Sequence, residues 1–212
     1  MSEDLDERLD RAGAFPAQQE RSKQMRDMLI ESGLSLAKRL SYDQLSVARI
    51  CAEAGCSTGA FYARFPDKKA FFKALIVKHA ISSRAQSRQR LGQVPFDDLL
   101  NEMIASLVRA YMGNAVFLRS AIQVSLEEPE AWEPFRRNSH ELADFLIERI
   151  KVEPSIVQSS VHEPTIRFAV QVLLGTLNNA LINRPGPIFL EDPDFPILLR
   201  NAVQTTMSLE RL

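Results

Sequence analysis

The chain is poor in the residues on which enzymes, secreted domains and metal proteins depend. It has two cysteines, three histidines and one tryptophan in 212 residues. Cys51 and Cys56 are five apart, which is neither a disulfide framework nor the CxxC spacing of zinc and redox sites. They read as small buried residues, with a redox role as the alternative. His79, His140 and His162 are scattered and have no companions of ligand type, so neither a metal nor a cofactor is expected. The segment GCSTG around Ser57 lacks the flanking strand and partnered histidine of a nucleophile elbow. No apolar run approaches the roughly 18 residues of a membrane span. The opening MSEDLDERLDRAGAF is acidic and has no apolar core, unlike a secretory signal. A cytoplasmic protein that is not an enzyme is therefore expected.

What is present is charge asymmetry and helical periodicity. The formal net charge is −1. Residues 20–90 nevertheless carry 14 Lys and Arg against 6 Asp and Glu, while residues 91–212 carry 10 against 16. A basic segment followed by an acidic remainder suits a chain whose first part meets a polyanion. Apolar residues recur at three- and four-residue spacing, and no alternating run is flanked by hairpin turns. The fold class is all-α, with about nine helices: one from about Gln19 to Leu40, then Val47 to Ala54, Ser57 to about Arg64, and Lys68 to about Arg90. Five more follow at about 96–113, 115–127, 130–152, 161–183 and 195–210. Three parts are expected: residues 1–19 as a mobile acidic tail, 20–67 as the basic part that meets the polyanion, and 68–212 as a second helical part.

The stretch SVARICAEAGCSTGAFYARF, residues 46–65, reads as two short helices crossing through a tight turn. Ser46 and Ser57 are N-caps, and Gly55 supplies the left-handed residue the turn requires. Ile50 and Phe61 anchor the pair inward. The outward face of the second helix is then Thr58, Gly59, Ala60, Tyr62, Ala63 and Arg64. Such a slender face enters a major groove, which admits a helix but not a crowd of bulky side chains. Thr58 and Ala60 are placed to touch base edges or a thymine methyl, and Arg64 to reach guanine or phosphate. Tyr62, Ser46 and Lys68 are candidates for phosphate, and Arg21 and Lys23 flank them at the start of the first helix.

The stretch CSTGAFYARFPDKKAFFKAL, residues 56–75, resembles the signature of the tetracycline-repressor family. Ser57, Gly59, Phe61, Tyr62, Phe65 and Lys68 fall in register, and upstream Ser46, Val47, Ile50, Ala54 and Gly55 agree. The resemblance covers about residues 20–80. It implies a three-helix helix-turn-helix domain followed by a helical domain that dimerises and binds a small effector. By position, Thr58, Ala60 and Arg64 would face bases, while Ser46, Tyr62 and Lys68 would hold phosphates. The chain departs from the family at Cys51, where Ala is usual, at Ala37, Ser41 and at Arg64, often His.

Further along, IRFAVQVLLGTLNNALI, residues 166–182, is apolar on more than one face and needs cover on both sides. Ala169, Leu173, Gly175, Leu177, Leu199, Ala202 and Val203 are the expected dimer interface. Met103, Leu107, Tyr111, Phe117, Trp132, Phe135, His140, Phe168, Gln171 and Asn178 are candidates for lining an effector pocket. The expected function is a repressor that binds a palindromic double-stranded DNA operator as a homodimer and is released by a small molecule. An activator or an effector-independent regulator is the alternative within that class. A helical protein–protein adaptor, and a small enzyme using Cys56 or His140, are the alternatives outside it.

Overall fold

The computed structural model describes residues 5–16 and 20–210. It is helical, with no extended strand among those residues. Contacts divide it into two compact units. The first comprises residues up to 85 together with 114–134; the second comprises 86–113 and 135 onward.

The first unit is built on α2 (Glu20–Ala37), α3 (Val47–Ala54), α4 (Thr58–Tyr62) and the early turns of α5 (Lys68–Leu91). Its core is aromatic. Phe61, Phe65, Phe71 and Phe72 are all fully buried, and the Phe61 ring lies 5.2 Å from Phe71 and 5.5 Å from Phe65. Tilted and edge-on rings at this range add to area burial. Gly33 lets α2 and α5 approach closely: a Cβ there would meet Phe71 Cζ at 2.5 Å. Helix α7 (Ala115–Glu127) and a 3-10 turn (Pro129–Trp132) belong to the same unit. Lys69 pairs with Glu127 and Glu128, and Lys73 with Glu128, while the Tyr42 N–H donates to Ser120 Oγ at 3.0 Å. By contacts, then, residues 68–85 and 114–134 group with 20–67, whereas the sequence reading put all of 68–212 together. Periodicity reveals which face of a helix is apolar, not which neighbour covers it.

Part of the stretch expected as a mobile tail is ordered structure. Leu5–Arg11 forms α1, and Leu9 is fully buried. Asp6 accepts from Lys23 at 2.7 Å and from Arg26, and these two cations hold its carboxyl below the usual range. The Phe15 N–H donates to the Arg64 carbonyl at 2.7 Å. An acidic segment beside basic α2 gains partners that composition alone does not reveal. Residues 1–4 and 17–19 of the expected tail lie outside the described residues.

The second unit consists of α6 (Phe96–Gly113), α8 (Glu133–Lys151), α9 (Glu163–Asn183) and α10 (Phe195–Met207), with the last turn of α5. Helix α10 packs along α9 and α6. Helix α9 is long and apolar enough by length and composition to cross a membrane, although no such run was expected from the sequence. Ile166, Ala169, Val170, Leu173, Leu177 and Leu181 are buried in the unit's own core, as in a packed core helix.

Candidate nucleic-acid interface

Local sequence fixes the α3–α4 corner. Ser46 Oγ accepts from the Arg49 N–H at 3.3 Å, and Ser57 Oγ from the Ala60 N–H at 3.2 Å, so both short helices are N-capped as expected. Between them Gly55 sits at φ 63°, ψ 33°, the left-handed region that glycine enters without cost. Ile50 and Phe61 are fully buried and Ala54 nearly so.

This packing leaves Ser57, Thr58, Gly59, Tyr62 and Ala63 exposed and Ala60 half-buried on the outer side of α4. Tyr62 is the largest group there, 53% exposed. Ser46 and Arg21 are exposed, and Lys23 is half-buried against Asp6.

Two of the expected contacts are tied into the unit. The Arg64 guanidinium turns back, donating from Nε to the Ser22 carbonyl at 3.2 Å and from Nη1 to the Ala60 carbonyl at 2.8 Å. It clamps α4 to the start of α2. Lys68 Nζ donates to the carbonyls of Tyr42 (2.9 Å) and Leu45 (3.2 Å) and lies 4.2 Å from the Tyr42 ring centroid. An ammonium has three donors, so Lys68 braces the loop before α3 and keeps one N–H for another acceptor. Arg49 was missed from the sequence. It is exposed in the first turn of α3, three residues after the Ser46 cap, and its Nη1 reaches the Gln44 carbonyl at 3.3 Å. The signal was available, because the first helix of such a pair crosses the nucleic-acid backbone. The basic excess of 20–90 is also partly spent internally: Arg26, Arg39, Lys69, Lys73 and Lys78 all have acidic partners.

Residues 29–75, which contain this corner, match the family model of bacterial regulatory proteins, tetR family. That stretch of the chain is a tetR-family domain. The fold of the whole chain agrees. A tetR-family regulator from Mesorhizobium loti aligns with TM-score 0.65 at 18% identity, covering 89% of this chain and 96% of that one. GusR of Salmonella enterica aligns at 0.63 and 17%, covering 87% and 95%. A fatty acid degradation regulator, FadR of Bacillus halodurans, aligns at 0.60 and 16%, covering 86% and 94%. No curated protein matches the sequence.

The residues expected at a dimer face separate. Ala169, Leu173, Leu177 and Val203 are fully buried in the second unit, and Leu199 is 5% exposed, so they present no surface to another copy. Gly175 and Ala202 are exposed. On α9 the exposed line is Phe168, Gln171, Gly175, Asn179 and Ile182, at three- and four-residue spacing; on α10 it is Leu198, Ala202 and Thr205. Phe168, Ile182 and Leu198 are each about half exposed.

The expected pocket residues are divided between the two units. Phe117 and Trp132 belong to the first unit, where Phe117 packs on Phe72 and His79. The other eight are in the second unit. Met103 is buried, Leu107 and Phe135 are half-buried, and His140, Phe168 and Gln171 are exposed. Tyr111 donates its hydroxyl to Asn178 Oδ1 at 2.9 Å, and burial pushes its pKa up to about 12. A cavity of about 630 Å³ does exist in the second unit, lined by none of these residues. Leu99, Leu146, Ile150, Ile156 and Met207 wall it, with Asp97, Asn101, Arg200 and Gln204 as its polar groups.

Proposed function

We propose that this chain is a regulator of the tetR family that binds a palindromic operator as a homodimer, represses the adjoining genes, and leaves the DNA when a small effector binds its second unit. The observation that carries the reading is the outer side of α4. Thr58, Gly59 and Tyr62 are solvent-exposed there, while the caps and aromatic core hold the helix rigidly from behind. Thr58 and Ala60 are assigned to base edges. Tyr62, Ser46, Arg49 and the remaining donor of Lys68 are assigned to phosphates, with Arg21 and Lys23 at the flank. Ser57, Gly59 and Arg64 act by setting the helix in place.

One such helix reads only a few base pairs, so two half-sites bound together supply the affinity and specificity. The exposed line on α9 and α10 supports a second copy as the dimer partner. The 630 Å³ cavity supports an effector site, being of the size that holds small ligands. Effector binding acts on the operator only if it favours one of two conformations of the dimer. Helix α5 has residues in both units and is the covalent route for that coupling. The setting is the cytoplasm, where the operator is.

The test is to incubate purified protein with sheared DNA of its own source at moderate salt and to sequence what is retained. Recovery of a palindrome that Tyr62→Ala no longer retains is the expected result. Retention of nothing by folded, dimeric protein would overturn operator binding by the ligand-free chain. Affinity for the recovered site should fall steeply with salt, as counterions are released from each neutralised phosphate.

A further inference from the structure

We propose that Cys51 and Cys56 form a peroxide-oxidisable dithiol within the turn of the helix-turn-helix, and that closing it to a disulfide takes the regulator off DNA. The switch rests on the DNA-binding reading above; the thiol chemistry does not.

Backbone geometry pairs the two side chains. Helix α3 ends with the Cys56 N–H donating to the Cys51 carbonyl at 2.9 Å and the Gly55 N–H donating to the Ala52 carbonyl at 3.3 Å. These are the two bonds of a Schellman ending. The side chains at its outer positions normally meet in an apolar contact. Here both outer positions are cysteine, and neither is in a disulfide. The Cys56–Cys51 backbone bond also keeps the α-carbons within about 7 Å, from standard bond lengths. Disulfides span such separations with only a local movement of the chain.

The two sulfurs are unequal. Cys51 is buried, and burial together with its neighbour pushes its thiol up to about 11. Cys56 is half-exposed and is the one a solute meets first. In the first step the Cys56 thiolate attacks a peroxide oxygen. The O–O bond breaks, the leaving oxygen takes a proton and departs as water or an alcohol, and Cys56 becomes a sulfenic acid. In the second, Cys51 gives up its proton and attacks the Cys56 sulfur. The S–S bond forms as the S–O bond breaks, and the hydroxide takes up the proton and leaves as water. The peroxide is reduced by two electrons and the thiols are oxidised by two.

The consequence for DNA follows from what Cys51 also holds. Its Sγ donates to the Ser57 carbonyl at 3.6 Å, and Ser57 is the N-cap of α4. Closure removes that donor and draws Cys56, the residue just before the cap, toward α3. A helix of five residues takes its direction from its cap, so α4 leaves its docking angle.

The experiment treats fully reduced protein with a small excess of hydrogen peroxide or cumene hydroperoxide. Trypsin then releases residues 50–64, which hold both cysteines in one peptide, for mass analysis. The expected result is that peptide lacking both thiol hydrogens. Binding to a DNA fragment retained by the reduced protein should fall at least tenfold and return with dithiothreitol. Cys56→Ser and Cys51→Ser, the second keeping a donor for the Ser57 carbonyl, should bind DNA equally well with and without peroxide. Oxidation of one cysteine alone, with no bond inside the peptide, would overturn the pair. A closed disulfide with unchanged DNA affinity would overturn the switch. Reduced protein that binds no DNA would sink the DNA-binding reading and the switch together, while the peptide still decides the thiol chemistry.

Discussion

The helix pair α3–α4 shows solvent small and hydroxyl-bearing side chains, one phenol and the charged Arg49 and Glu53, whereas the pair α9–α10 shows Phe168, Ile182, Ile197 and Leu198. Both pairs are backed by well-packed cores, so the difference lies in what each outer face is shaped to meet. A slender polar face suits a groove lined with hydrogen-bonding edges and phosphates. A line of large apolar groups at helical spacing suits a surface of its own kind, and a two-fold axis makes the second copy such a surface. Capping adds to the contrast. Ser46 and Ser57 both make N-cap hydrogen bonds at α3 and α4, whereas neither α9 nor α10 has a side-chain N-cap bond. The recognition corner is held by local bonds, the other pair by long helices and burial.

Separating the roles of the two pairs should have its largest effect at α9–α10. Phe168→Glu with Leu198→Glu places charge on the exposed line and should leave a folded monomer in sedimentation. Operator affinity should drop by about a hundredfold or more, since the second half-site no longer binds as part of one molecule. An unchanged dimer would remove α9–α10 from the interface. Next comes Tyr62→Ala, expected to weaken operator binding about tenfold, the cost of losing one good contact. Its melting temperature and dimer should be those of the parent, because the ring is half exposed. A variant that melts earlier would make Tyr62 a packing residue instead.

Acid should act on the first unit through His79. Burial, with Lys38 adding to it, lowers the His79 pKa to about 4, against about 6.5 in an unfolded chain. Between those values the unfolded state binds a proton that the folded state refuses. Stability is thus fully present above about pH 6.5 and is lost progressively down to about pH 4. Urea midpoints measured from pH 7 to 4.5 should fall, and His79→Gln should flatten part of that slope. The smallest effect is at a cap. Ser57→Ala should cost about 1 kcal/mol in thermal or urea unfolding. Its loss of DNA affinity should exceed that of Ser46→Ala if α4, and not α3, carries the base contacts.

Local rules made the recognition corner legible. Ser–xx spacing, a glycine after Ala54, and apolar residues at Ile50 and Phe61 each specify a bond or a burial within a few residues of chain. The boundaries of α3 and the starts of α5, α6 and α7 followed from the same punctuation. Long-range contacts were not legible. Arg64 and Lys68 have the composition of DNA ligands, yet carbonyls 42, 23 and 26 residues away hold donors of both. The α9 residues chosen for the interface were the most apolar ones, and a chain buries those against itself first. Phe168, Ile182 and Leu198 were left over, and being left over is a property of the packed unit.

The sequence by itself determined the helices, the capped turn at Gly55 and the family to which that turn belongs, because these depend on residues within about one turn of each other. Only the tertiary structure decided which cations remain for DNA and which apolar face remains for a partner. It also decided where the cavity lies and that the Cys51 thiol reaches the Ser57 carbonyl at the cap of α4. Those outcomes depend on what the folded chain has already covered, and cover comes from residues distant in sequence.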